Sequence, residues 1–200
     1  MADFVYLASQ SPRRRQLLEQ LGVRYELLLA DANEDAEALE VVLKNEAPAA
    51  YVKRVTALKL DAAAKRLAQR KLPSAPILCS DTTVALERVI YGKPEDARDA
   101  ERMLGELAGR THRVLTAVAV QLGRQRFEAL STSRVSFEPM TAAQIQAYVA
   151  TGEPMGKAGA YAIQGRVAMH ITRINGSYSG IMGLPLWETA SLLKASGLTI

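Results

Sequence analysis

Three arginines, Arg13, Arg14 and Arg15, follow directly on Leu7-Ala8-Ser9-Gln10-Ser11-Pro12. Residues 4–8 are apolar and β-prone. Ser11 is a good N-cap, Pro12 suits the first helical position, and Leu17, Leu18 and Leu21 form a buried stripe that Gly22 closes. The pattern predicts a short strand, a tight turn and a helix whose first turns carry the three cations. A helix start is the positive end of the macrodipole and favours Asp or Glu, so this placement calls for something negative nearby. Free backbone N–H groups, a cap hydroxyl and guanidinium forks together make a phosphate site. The alternative is a solvated helix start that carries three arginines without a ligand.

Three further places could carry chemistry. In Cys79-Ser80-Asp81-Thr82-Thr83 an Asp interrupts an apolar β segment. Burying it is costly unless it binds a metal, accepts several hydrogen bonds or stays protonated; the plainer alternative is an Asp in a polar turn between strands. Gly92-Lys93-Pro94 sets a lysine just before a helix start, either facing an anion or simply on a surface loop. In Lys157-Ala158-Gly159-Ala160-Tyr161-Ala162-Ile163-Gln164-Gly165 small residues permit close backbone approach, and the Gln164 amide can both donate and accept toward a base edge.

The elements that must position these groups alternate without an obvious linker. Residues 31–46 are acidic and irregular, a loop or short helix. A helix over 48–70 shows Tyr51, Val52, Val55, Leu58 and Ala62 on its apolar side, and its basic end (Lys65, Arg66, Arg70, Lys71) suits a solvated C-terminus. A strand over 77–86 turns at Glu87-Arg88 into 89–91. A helix opens at 94–96 and stops at Gly109. An antiparallel ribbon of 114–122 and 126–137 turns at Gly123. Thr141 to Gln144 reads as a capping box opening a helix to about Ala150. A strand over 167–174, a turn at Asn175-Gly176 and a helix over 184–195 complete an α/β chain with a mixed sheet.

Composition bounds the function. The chain has 200 residues, 48% hydrophobic and 23% charged, which suits one globular domain over 1–200. No apolar run is long enough for a membrane span, and no secretory signal is visible. A single Cys79 excludes an internal disulfide framework and agrees with a reducing, cytoplasmic setting; with two His it is too little for a structural zinc site. A net charge of +4 admits either nucleic acid or a small polyanion. Aromatic residues make up 6% and none is interleaved with the cations, which speaks against a stacking platform for nucleic acid. Cys79 reads as a small buried hydrophobe, and His112 and His170 as structural.

Together the blocks resemble the Maf family of nucleoside triphosphate pyrophosphatases, once associated with septum inhibition. The resemblance runs from about Val5 to Leu193. It is carried by Leu7-Ala8-Ser9-Gln10-Ser11-Pro12-Arg13-Arg14, Ser80-Asp81-Thr82, Gly92-Lys93-Pro94, Ala108-Gly109-Arg110-Thr111-His112, the Lys157–Gly165 block and Ile181-Met182-Gly183-Leu184-Pro185. It implies an elongated mixed sheet flanked by helices, two lobes around a cleft, as in inosine-triphosphate pyrophosphatases. It implies hydrolysis of a nucleoside triphosphate to monophosphate and pyrophosphate with Mg²⁺ or Mn²⁺. By motif position, Ser9, Arg13 and Arg14 would form the triphosphate cradle, Lys59 and Lys93 would neutralise phosphate charge, and Glu34 and Asp81 would serve the metal or the water. Metal ligation is the expectation for Asp81, with Glu34 assisting. Such chemistry is mainly positioning and charge stabilisation, so no covalent nucleophile is needed.

Thr82 after the Asp and Gln164 before the Gly resemble the branch that hydrolyses dTTP and UTP. The alternatives are the 7-methyl-GTP branch and a non-catalytic nucleotide- or nucleic-acid-binding regulator of division. Gln10, Ala162 and Ser179-Gly180-Ile181-Met182 depart from the usual pattern. The implied partners are a nucleoside triphosphate and a second copy of the chain, with no stable nucleic acid and no membrane.

Overall fold

The computed structural model describes residues 3–31, 34 and 38–200. Strand β1 (Val5–Leu7) runs into helix α1 (Pro12–Gln20) and returns in β2 (Tyr25–Leu27), which lies parallel to β1. The long helix α2 (Pro48–Gln69) leads to β3 (Ile77–Leu86), which turns at Glu87 into β4 (Val89–Tyr91). Helix α3 (Ala97–Leu107) precedes the ribbon of β5 (Thr111–Leu122) and β6 (Gln125–Phe137). Helix α4 (Ala142–Val149), β7 (Ile171–Asn175), α5 (Tyr178–Met182) and α6 (Leu186–Ala195) finish the chain. The strands form one mixed sheet in the order β2-β1-β3-β5-β6-β7, with β4 paired to β3.

One irregularity of this sheet creates the site. Along one edge of β3, β1 pairs with Ile77 and Leu78, and β4 pairs with Val84 to Leu86. Between them β3 keeps β5 on its other edge, with Asp81 opposite Ala117 and Thr82 opposite Thr116. The chain leaves β1 at Ala8 and β4 at Gly92, and both exits border this gap.

Side chains alternate across β3, so the two faces pack differently. Leu78 and Val84 join the larger core with α1, α3, α4 and α6 residues, including Leu17, Leu18, Leu104, Leu107 and Leu193. Cys79 and Ala85 point the other way, into two smaller clusters beneath α2 that contain Leu60 and Ala63, and Val52 and Val55. No helix among the described residues is long and apolar enough to cross a membrane.

Several expectations need correcting. The strand expected over 167–174 begins at Ile171; Arg166–His170 is a 3₁₀ turn, because the Arg166 N–H donates to Glu153 Oε2 rather than to a neighbouring strand. Ser11 occupies the N-cap position without a side-chain cap bond; its own N–H donates to Ser9 Oγ. Leu58 is exposed, and Leu60 and Ala63 take the core positions of α2. The capping box of Thr141 and Gln144 is present. Strand β2 and helix α5 lie outside the elements expected from the sequence, although Ser177 caps the start of α5 and Gly183 its end.

Candidate active site

A cavity of about 990 Å³ opens at the gap in the sheet. Its wall includes Ser9, Arg13, Arg14, Glu34, Lys59, Asp81, Thr82 and Lys93. The ninth expected residue, Gln164, is not there: it is exposed on the turn after Ile163, and Ile163 faces the cavity instead. Its position gives no support to a base-reading role for that amide.

The arginines are organised from the opposite end of the chain. Arg13 Nε donates to the Met182 carbonyl at 3.3 Å and Arg14 Nε to the Gly183 carbonyl at 2.8 Å. The carbonyl end of α5 is thus the negative partner that the cations at the start of α1 require. Arg14 Nη1 also donates to Ser9 Oγ at 3.2 Å. The Gly183 carbonyl accepts from Ser80 Oγ as well, at 2.9 Å. Gly183 has φ +116, and an added Cβ there would meet Arg14 and Thr82 at 3.5 and 3.6 Å. Arg15 Nη2 donates to the Gln10 carbonyl at 3.4 Å, the one side-chain hydrogen bond of Arg15 among the described residues.

Asp81 and Thr82 lie on opposite faces of β3, yet both line the cavity because it opens at the strand's free edge. Thr82 Oγ1 pairs with Thr116 Oγ1 at 3.0 Å. Asp81 is 7% exposed, and Lys59 Nζ donates to its Oδ1 at 2.6 Å. Burial raises the proton affinity of this carboxyl, and the Lys59 and Arg14 charges only partly offset it. Cys79, one residue from Ser80, points into the core under α2, and burial pushes its thiol up to about 12. It is inert as a nucleophile.

Helix α2 supplies one wall through residues spaced eight, three and four apart, which share one helix face: Tyr51, Lys59, Ala62 and Arg66. Arg66 corrects the expectation of a solvated helix end. It is 6% exposed, donates to both oxygens of Glu34 at 2.8 and 2.6 Å, and donates to the Leu28 carbonyl. Arg70 likewise holds the Leu29 carbonyl and Asp31. The hydrogen bonds from Arg66 lower the Glu34 carboxyl to about 2.

Glu40, Tyr51 and Arg66 are among the wall residues that the sequence did not single out as site groups. Glu40 lies in the 3₁₀ turn Ala38–Glu40 and pairs with Lys59 at 2.7 Å and Lys93 at 3.2 Å. Arg66 could have been found, seven residues after Lys59 on one helix face; Glu40 sits in an aperiodic acidic stretch that offers no such signal. Tyr161 lines the cavity with its far end fixed, its hydroxyl 2.8 Å from His112 Nε2. His112, Phe137 and Tyr161 stack edge to face with centroids 5.0–5.4 Å apart. His170 lies outside the cavity, against Glu138.

The carboxylates of this wall offer hard oxygen donors, with no His or thiolate among them, which suits Mg²⁺ or Mn²⁺. Among the described residues no three His, Cys, Asp or Glu side chains converge into a self-sufficient metal cage. That fits a cation held by one or two carboxylates and by a ligand's own phosphate oxygens.

Fold and cavity together define a protein that takes a polyanionic ligand at a break in a mixed sheet, cations arrayed around one buried carboxyl. The family profile described as Maf-like protein matches residues 4–196, and the chain belongs to this family. The dTTP/UTP pyrophosphatase of Polaromonas sp. is 72% identical over 199 residues, covering 100% of this chain and 98% of its own. That of Albidiferax ferrireducens is 67% identical and covers 100% of both chains. That of Cupriavidus metallidurans is 64% identical and covers 99% of both. Among solved structures, the Staphylococcus aureus Ham1 protein overlaps 66% of this chain and 71% of its own at 13% identity, with a TM-score of 0.41.

Proposed function

We propose that this chain hydrolyses dTTP and UTP to the nucleoside monophosphate and pyrophosphate. The observation that carries the reaction is the convergence of Arg13, Arg14, Lys59 and Lys93 on one cavity with Asp81 in its wall. The choice of pyrimidine nucleotides rests on the relatives, which are named for these two substrates at 64–72% identity across essentially the whole chain.

Each residue then has a task. Arg13 and Arg14, aimed by the α5 carbonyls, bind the triphosphate through charge-assisted hydrogen bonds. Lys59 and Lys93 balance the charge that builds on the leaving pyrophosphate. Asp81 accepts a proton at its carboxylate from the water that attacks phosphorus, a task that a proton affinity raised by burial serves. Ser9 fixes the Arg14 fork, and Thr82, paired with Thr116, lines the cavity beside Gly183. A divalent cation would be held by Glu34 together with the substrate's own phosphate oxygens, and when bound it would supply further neutralisation of phosphate charge. The chain works as a soluble cytoplasmic enzyme on free nucleotides; a homodimer is the proposed assembly.

Phosphorus NMR of a dTTP digest tests the reaction. It should show dTMP and pyrophosphate appearing together in equal amounts. Release of orthophosphate with dTDP would place cleavage at the wrong anhydride and overturn the reading.

A further inference from the structure

We infer that Glu40 is an internal competitor of the substrate's phosphates for Lys59 and Lys93. This rests on the reading, given above, that those two lysines serve phosphate. Glu40 Oε1 lies 2.7 Å from Lys59 Nζ, and Oε2 lies 3.2 Å from Lys93 Nζ. One carboxylate therefore spans two ammonium groups that belong to different parts of the fold, helix α2 and the loop after β4. It meets each cation through a separate oxygen, as a bridging phosphate would.

The backbone around Glu40 is fastened to α2 independently of its side chain, whose partners are the two lysines. The Tyr51 hydroxyl donates to the Glu40 carbonyl at 2.9 Å. Arg54 donates to the Val41 carbonyl and grips both oxygens of Glu46. These bonds hold the segment on α2, so the carboxylate can leave the lysines by side-chain rotation alone, with no opening of the chain. Its side chain is 26% exposed and that of Lys93 is 46%, so water and ligand reach the pair. Lys59 keeps its second carboxylate, Asp81, when Glu40 departs.

Such an arrangement keeps two cations neutralised between turnovers and offers them a replacement anion as pyrophosphate leaves. Each phosphate contact to Lys59 or Lys93 is made at the expense of an existing ion pair. Affinity for pyrophosphate is thereby held down, which favours product release.

The test is titration calorimetry of inorganic pyrophosphate into the wild type and the near-isosteric Glu40→Gln, with Glu40→Ala as a second variant and melting curves to confirm that each is folded. Loss of two partly exposed ion pairs predicts pyrophosphate binding tighter by roughly five- to tenfold in both variants. The KM for dTTP should fall in parallel. Unchanged or weaker pyrophosphate binding in folded Glu40→Gln and Glu40→Ala would overturn the inference while leaving hydrolysis by the wild type intact. Failure of the wild type to bind pyrophosphate or to hydrolyse dTTP would remove its basis as well, and with it the functional reading.

Discussion

Asp81 stands between opposed influences: burial disfavours its charge, while Lys59 at 2.6 Å and the Arg14 guanidinium favour it. The net effect raises its proton affinity, which suits a proton acceptor better than the metal ligation expected from the sequence. Two outcomes follow at this residue. Asp81→Asn should lower kcat by about 10²–10⁴-fold, the range of general-base contributions, with circular dichroism and melting unchanged in form. The wild-type pH–rate profile should have its acid limb above the ordinary Asp value of about 4; a limb at or below that value would assign the carboxylate to cation binding instead. The arginines make a second contrast. Arg13→Ala should lose both substrate affinity and kcat, because its fork meets charge that grows during reaction, whereas Arg15→Ala, whose bond goes to Gln10, should lose much less. Equal losses in steady-state kinetics would mean a diffuse basic surface rather than a shaped cradle.

At the scale of elements, the site exists because β1 and β4 cover the two ends of β3 and leave its middle open. The wall opposite depends on α2 holding the loop after β2 through Arg66. Arg66→Met keeps much of the apolar stem but removes the guanidinium donors from Glu34, which keeps only the Asp31 N–H among the described residues, and from the Leu28 carbonyl. Glu34 is a third exposed and can recover some hydration, so the cost should be about 1–3 kcal/mol, read as a lowered thermal midpoint. An unchanged midpoint would show that the loop is held by other contacts. What the sequence reveals and hides divides along the same line. Strand β3, its hairpin with β4 and the capping box of α4 follow from local spacing and turn chemistry. So does the cationic start of α1. Arg66 with Glu34 joins residues 32 apart, and Arg13 with Met182 joins residues 169 apart, so neither partner is visible from its own neighbourhood. Gln164 shows the converse: a suggestive residue type in a Gly-rich block, turned outward because Ile163 takes the inward place.

For the whole molecule, the joint between the Gly-rich block and the ribbon of β5 and β6 sets a pH limit on stability. His112 is buried against Phe137 and Tyr161, its Nδ1 has no hydrogen-bond partner among the described residues, and burial lowers its proton affinity to about 4. The unfolded chain binds that proton at an ordinary value of about 6.5. The contribution to stability is therefore complete above about pH 6.5 and is lost as pH falls toward 4, by up to about 3 kcal/mol. Urea unfolding at pH 7 and pH 5 should show this loss in the wild type and a flatter dependence in His112→Gln; parallel behaviour of the two proteins would contradict it. The sheet, the cavity at its break and the family together point to one activity, and its selectivity is the most direct test. Pyrophosphate release should be measured on dTTP, UTP, CTP, GTP and 7-methyl-GTP, each with Mg²⁺ and with Mn²⁺. Turnover of dTTP and UTP should exceed that of 7-methyl-GTP by at least about tenfold, on the order of 1.4 kcal/mol in transition-state binding. Preference for 7-methyl-GTP, or tight nucleotide binding without pyrophosphate release, would contradict the account.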